Sequence, residues 1–366
     1  MSRSRLALSV LALTLIVGPQ AGSVEVALQE QVEEAAAPSV AVADAQAGRS
    51  SSPWPASPLR QERAGLTQDG LRRSAGCPAW TLEDGTCTHG PDPAPPGLDT
   101  LEPLSTVQVR QRATTAASVS TSTTATVPCT GDGVTGPRVQ ALYVRAKDVP
   151  DRFTAVRASL ASYAANVDDV FVQSAAKTGG LRHVRWLTTA PCTLDLRPVV
   201  VSPKGDDSLS AMISELKVQG YGRTDRKYLI WADATRYCGV AQTRYDDRAT
   251  ADNISNKGAS YARVDAKCWG LTHSVEAHEL THMLGGVQPS APNSNASGHC
   301  TDDSDRMCYS ETGALPVRTV CEAAHERLLD CRNDDYFSTA PTAGSYLATH
   351  WNTANNVFLT GTPPTG

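Results

Sequence analysis

The chain has 366 residues and a formal net charge of −5, with 33 Lys and Arg against 38 Asp and Glu. That balance, and the lack of basic clusters interleaved with aromatics, argue against a nucleic-acid partner. The length allows two domains, yet the composition is uneven enough that only part of the chain can build a core.

The front of the chain is not globular in pattern. Arg3 and Arg5 precede a short apolar run over residues 6–17 that ends in Gly18-Pro19-Gln20-Ala21-Gly22-Ser23. This reads as a signal peptide over residues 1–23, too short for a membrane span. No later stretch approaches such a span, so a secreted, extracellular protein is expected. Residues 24–127 are rich in Ala, Pro, Ser and Thr, with extremes at 91–96 and 113–126. Such a composition buries little apolar area against the entropy of ordering, and a disordered propeptide or linker is expected. One island, Cys77 to Cys87, has the spacing of a small disulfide loop. Either cysteine is also a candidate zinc cap that would keep an enzyme latent, since thiolate binds zinc well. The even total of ten cysteines favours pairing instead.

From about residue 128 the periodicity changes. Residues 139–144 alternate like a strand, and a helix follows Asp151 with Phe153, Val156, Leu160, Tyr163, Val167 and Val170 at spacings of three and four. Two strands are expected at 183–187 and 198–202, and a helix at 207–219 with Leu209, Met212, Ile213 and Leu216 inward. The apolar run at 227–232 suits a buried central strand. Short strands at 237–242 and 260–264 precede the most informative stretch of the chain.

That stretch is His278-Glu279-Leu280-Thr281-His282 followed by Met283-Leu284-Gly285-Gly286. Two histidines four residues apart lie on one helical face and can reach one metal ion, with Glu279 beside them for a metal-bound water. Neutral imidazoles hold Zn²⁺ at about 2.0–2.1 Å and leave a position open, where the ion lowers the pKa of water to roughly 7. Gly285 lets the chain leave the helix by a left-handed turn.

With the downstream Met307-Cys308-Tyr309, this arrangement resembles the metzincin clan of zinc endopeptidases, in which H-E-x-x-H-x-x-G-x-x-H is followed by an M-x-Y turn. The stretch from His299 to Tyr309 is similar to secreted actinobacterial-type metallopeptidase domains, and the resemblance covers roughly the last two thirds of the chain. It implies an α+β, metzincin-like fold. An upper subdomain (128–286) would hold a twisted mixed sheet, backing helices and the active-site helix, and a smaller, irregular, disulfide-stapled subdomain (287–366) would lie below. It also implies that Met307 floors the zinc site, that Tyr309 is a catalytic candidate for stabilising the oxyanion, and that an edge strand near 237–242 pairs with extended peptides.

Gln288 stands where the clan pattern has its third histidine. A carboxamide is a poor zinc ligand, so His299 is the leading third ligand, with Asp302 or Asp303 as the fallback. A Cys300–Cys308 bridge would hold His299 close to the Met307 turn. Pairing all ten cysteines with their nearest neighbours gives 77 with 87, 129 with 192, 238 with 268, 300 with 308 and 321 with 331, of which the last two are the better supported. Helices are expected over 320–329 and 345–355. His183, His273, His325 and His350 are scattered and read as surface or packing residues, and His89 falls in the flexible front. Asp302, Asp303, Asp305, Glu311, Asp330, Asp334 and Asp335 could supply oxygens for Ca²⁺, against the plainer reading of a solvated acidic face.

The expected protein is therefore a secreted, monomeric zinc metalloendopeptidase acting on protein or peptide substrates. His278, His282 and His299 would hold Zn²⁺, with Glu279 as general base. The alternatives are a catalytically weak binding or adhesion module on the same scaffold, and a zinc hydrolase of non-protein amides.

Overall fold

The computed structural model describes residues 71–95, 98–100, 126–271, 274–309 and 316–362, all within a compact unit, Arg49–Gly366. The stretch read as a signal peptide lies outside the described residues. The fold is mixed α/β, built on a seven-stranded mixed sheet and five disulfides.

Two short strands from the front of the chain, β1 (Trp80–Thr81) and β2 (Cys87–Thr88), come first in sequence. Strand β3 (Arg138–Ala146), one in from an edge of the sheet, is followed by α1 (Phe153–Ala176). Short strands β4 (His183–Val184), β5 (Thr188–Thr189) and β6 (Thr193–Leu194) then lead to β7 (Leu196–Val201), α2 (Leu209–Val218), β8 (Arg226–Ala232), β9 (Gly239–Thr243) and β10 (Ser260–Asp265). Strands β7, β3, β8 and β10 are neighbours in that order and run parallel. Beyond β10 the sheet turns antiparallel through β9, β2 and β1.

Alternation along the parallel strands divides the core between the two faces of the sheet. Leu142, Val144 and Ile230 face α2 and its Leu209, Met212, Ile213 and Leu216. Each of those four helical side chains contributes roughly 1.5–3 kcal/mol on burial. Ala141, Tyr143, Leu229 and Trp231 face the other way, onto Leu160, Val167 and Phe171 of α1 and onto the buried helix α3 (Val275–Met283), which contains the two-histidine motif. The motif helix thus lies against the sheet with all nine residues buried.

Two expectations for the front and the edge are corrected. The Cys77–Cys87 loop forms as expected and packs into the fold, with Trp80, Leu82 and Ala79 in the α2-side core and Arg73 over the Trp80 ring at 4.1 Å, while His89 and Asp92 beyond it, expected in the flexible front, are buried. Composition missed this because a few well-placed apolar side chains, closed by the Cys77–Cys87 disulfide, are enough to anchor a short segment to an existing core. The strand expected at the free edge, β9, has β2 hydrogen-bonded along it, with Thr88 opposite Gln242 and Cys87 opposite Thr243.

After α3 the chain is irregular. Among the described residues it forms only β11 (Asp302–Asp303), β12 (Arg318–Thr319), a 3₁₀ turn at Ala323–Arg327, the single-turn α4 (Tyr346–Thr349), a second 3₁₀ turn at Thr353–Asn355, and β13 (Leu359–Thr360). The longer helices expected at 320–329 and 345–355 are therefore reduced to single turns. Backbone groups here bond side chains instead: Asp330 accepts from the N–H groups of Asp334, Asp335, Tyr336 and Phe337 at 2.6–3.1 Å. All ten cysteines are paired with their nearest neighbours, which suits an oxidising, extracellular setting. No helix among the described residues is long and apolar enough to cross a membrane.

Candidate metal centre

Helix α3 begins at Ser274, whose hydroxyl caps the helix by accepting from the Ala277 N–H at 3.3 Å. It stops at Gly285, whose φ of 91° favours glycine. A Cβ there would lie 2.5 Å from Ser255 Oγ and from Trp351 Nε1. The helix is also held by Glu276, whose Oε1 accepts from Trp231 Nε1 at 3.0 Å and from the Gly270 N–H at 2.8 Å.

Three imidazole nitrogens converge at this helix. His282 Nε2 lies 3.0 Å from His278 Nε2 and 3.1 Å from His299 Nε2, and the last two are 3.2 Å apart. His278 Nδ1 is 2.8 Å from the Arg306 carbonyl and His282 Nδ1 is 3.1 Å from the Gly286 carbonyl. Those carbonyls can only accept, so each Nδ1 carries a proton, and in the neutral imidazole each Nε2 keeps its lone pair for a metal. Lone pairs turned toward one another at this distance are repulsive unless a cation lies among them. Nitrogens about 2.0–2.1 Å from a tetrahedral ion sit roughly 3.3 Å apart, so the residues present fit Zn²⁺.

His299 arrives from the loop after the helix. The Cys300–Cys308 disulfide and the Cys300 N–H to Met307 carbonyl bond, 3.0 Å, tie that loop to the Met307 turn. Met307 is fully buried, and Arg306 before it supplies the carbonyl that receives His278. Gln288 points elsewhere: its amide donates to the carbonyls of Gly285 and Arg244 at 2.7 and 2.8 Å. Asp302 gathers with Asp334 and Asp335 rather than with the imidazoles.

The front segment enters the same space. It runs antiparallel to β9, with the Asp92 N–H donating to the Gly239 carbonyl at 2.8 Å. Asp92 Oδ2 lies 3.1 Å from His278 Nε2, and Oδ1 lies 3.8 Å from His299 Nε2. Tyr309 donates its hydroxyl proton to Asp92 Oδ1 in a short bond. His89 stacks on His282 at 4.0 Å, accepts from the Ala241 N–H at 3.1 Å, and places the same Nε2 3.1 Å from Glu279 Oε2. Glu279 Oε1 packs onto Gly239, where a Cβ would approach it to 1.9 Å.

The electrostatics follow from this crowding. Burial opposes charge on Asp92, but His278 and His89 hold its carboxyl well below the usual range. Burial and the nearby Asp92 push the Glu279 carboxyl up. Burial and the neighbouring His89 push His282 down, which keeps the imidazole neutral.

Asp92 carries no sequence motif that marks a role, and His89, expected in a flexible front, is buried at the site. The only available signal was the nearness of His89 and Asp92 to the Cys77–Cys87 island. Neither cysteine offers a thiolate, because they are bonded to each other. The other histidines lie apart from the centre. His183 Nδ1 pairs with Asp168 at 2.7 Å, His325 Nδ1 donates to the Ser304 carbonyl at 3.0 Å, and His350 stacks on Tyr346 at 4.3 Å. His273 and Glu311 lie outside the described residues.

No protein-family model and no curated protein matches this chain. A search of solved structures found similarity to the crystal structure of metalloproteinase-II from Bacteroides fragilis, at 10% identity and a TM-score of 0.23. The match covers 60% of this chain and 61% of that one, so the chain spans less than two thirds of its length.

Proposed function

We propose that this chain is the latent precursor of a secreted zinc-dependent endopeptidase of metzincin type, with residues 24–127 as pro-segment and residues 128–366 as the enzyme. The observation that carries this reading is the trio of imidazole Nε2 atoms from His278, His282 and His299, 3.0–3.2 Å apart beside a buried glutamate. These three residues would hold Zn²⁺, which when bound supplies Lewis acidity to a water and to a substrate carbonyl.

The other steps belong to the chain's own groups. Glu279 takes the proton of the attacking water and later delivers it to the leaving amine. Tyr309, once released from Asp92, can donate to the oxyanion that develops on the carbonyl. Strand β9 offers backbone groups to an extended peptide, placing the scissile bond beside Glu279.

In the precursor these positions are filled by the chain itself. β2 lies along β9, Asp92 reaches His278 and engages Tyr309, where it would be a further ligand to a metal held by the three imidazoles, and His89 engages Glu279. A peptide substrate would need the same edge, the same metal position and the same base. Cleavage and release of the pro-segment is therefore the activating event.

The test is metal analysis of the protein with the pro-segment removed, together with casein digestion with and without chelator. One zinc per chain and chelator-sensitive digestion are expected. Bound zinc without any turnover would overturn the reading in favour of a binding module.

A further inference from the structure

We propose that Asp302, Asp334 and Asp335 form a second cation site, separate from the imidazole cluster, that takes a hard divalent cation of the calcium class and braces the loop carrying His299. One carboxylate oxygen from each of the three lies within 4.8 Å of the others. Asp302 is 1% exposed, and its Oδ2 is buried with no hydrogen-bond donor. Oδ1 of Asp334 is buried in the same condition. Two orphaned acceptors on neighbouring carboxylates need either shared protons or a cation, because burial without a partner costs about 1–3 kcal/mol per group and more for charge.

The surroundings separate these three from the rest of the acidic cluster. Asp330 is saturated by four backbone N–H groups. Asp305 accepts from the N–H groups of Met307 and Cys331 and from the Tyr336 hydroxyl, at 2.5–2.8 Å. Those two carboxylates shape the loop. Asp335 accepts from the backbone and side-chain nitrogens of Asn293 at 2.9–3.1 Å, which fixes its plane and leaves lone pairs for a further partner. Burial and the Asp335 charge push Asp334 up, partly offset by Arg332. Burial, the charges of Asp335 and Asp305 and a hydrogen bond shared with Asp335 push Asp302 up to about 9, and a cation would take the place of that shared proton.

Three carboxylates supply up to six oxygens, the donor type and number calcium takes at about 2.3–2.6 Å, with water completing the shell. The absence of imidazole or thiolate among them disfavours zinc. The consequence reaches the metal centre through covalent structure. Asp302 is two residues beyond Cys300, which is bonded to Cys308 and follows His299 directly. A cation here would pin that loop to the 330–337 loop and hold the third imidazole in place.

The experiment uses the full zinc-loaded chain, freed of other divalent ions on a calcium-selective resin and checked for zinc content. Terbium luminescence with calcium competition reads binding, and thermal unfolding reads linkage. We expect one calcium-displaceable terbium per chain and a rise in Tm of about 5 °C at millimolar calcium. Asp334→Asn, at a half-buried position, should abolish both responses without lowering the calcium-free Tm. Asp302→Asn should do the same if it folds. Failure of the parent protein to bind terbium or respond to calcium, or an undiminished response in a folded Asp334→Asn variant, would overturn the site.

Discussion

Asp92 Oδ2 stands 3.1 Å from His278 Nε2, and the same carboxylate receives the Tyr309 hydroxyl. One side chain of the front segment therefore engages both an imidazole proposed to bind metal and the hydroxyl proposed to stabilise the oxyanion. If that contact keeps the precursor silent, Asp92→Ala in the full chain should raise peptide cleavage by at least about tenfold with zinc content unchanged, since roughly 1.4 kcal/mol of lost blocking is already tenfold. Adding His89→Ala should raise it further by freeing Glu279. Cleavage of a quenched fluorescent peptide library measures this, and unchanged rates in both variants would exclude the latch.

In the proposed mechanism Glu279 is the base and not a ligand. In the processed enzyme, Glu279→Gln is expected to leave one zinc bound and to lower kcat by about 10²–10⁴-fold or more. Metal analysis and turnover on the same sample check this. A variant that digests casein at the parental rate would refute the proposed mechanism.

The third ligand can be decided by competition. Gln288 spends its amide on two backbone carbonyls, whereas His299 Nε2 faces the other two imidazoles. His299→Ala should lose zinc to a chelator that leaves the parent loaded, a drop in affinity of at least about 100-fold. Gln288→Ala should retain zinc and lose some stability. The reverse pattern would reassign the ligand.

His325 predicts acid sensitivity. Burial, with some help from Lys177, pushes its pKa from 6.5 down to about 4. Its folded value is depressed, so the unfolded chain binds the proton first as pH falls. The contribution to stability is complete above about pH 6.5 and is lost progressively toward pH 4, by up to about 3 kcal/mol. His325→Gln, which keeps an N–H donor but does not titrate, should flatten the urea-denaturation midpoint between pH 6.5 and 4. An equally steep profile in that variant would assign the sensitivity to other groups.

The sequence by itself determined the elements that follow from local period and local chemistry. The i, i+4 histidines and the adjacent glutamate lie on one helix because 3.6-residue periodicity leaves no other arrangement, and the inward faces of α1 and α2 were legible for the same reason. Donor chemistry alone ranks Gln288 below His299 as a ligand. The tertiary structure decided what depends on distant segments meeting. The Asp92 contact with His278, the His89 contact with Glu279 and the pairing of β2 with β9 leave no periodic trace, since each rests on one or two residues whose partners come from far along the chain. Residues 71–95 looked flexible because composition measures how much apolar area a segment carries, not whether a preformed core and an open sheet edge wait to receive it. The acidic loop was legible as charge, but only the fold separated the carboxylates that accept from backbone N–H groups from those left with orphaned oxygens.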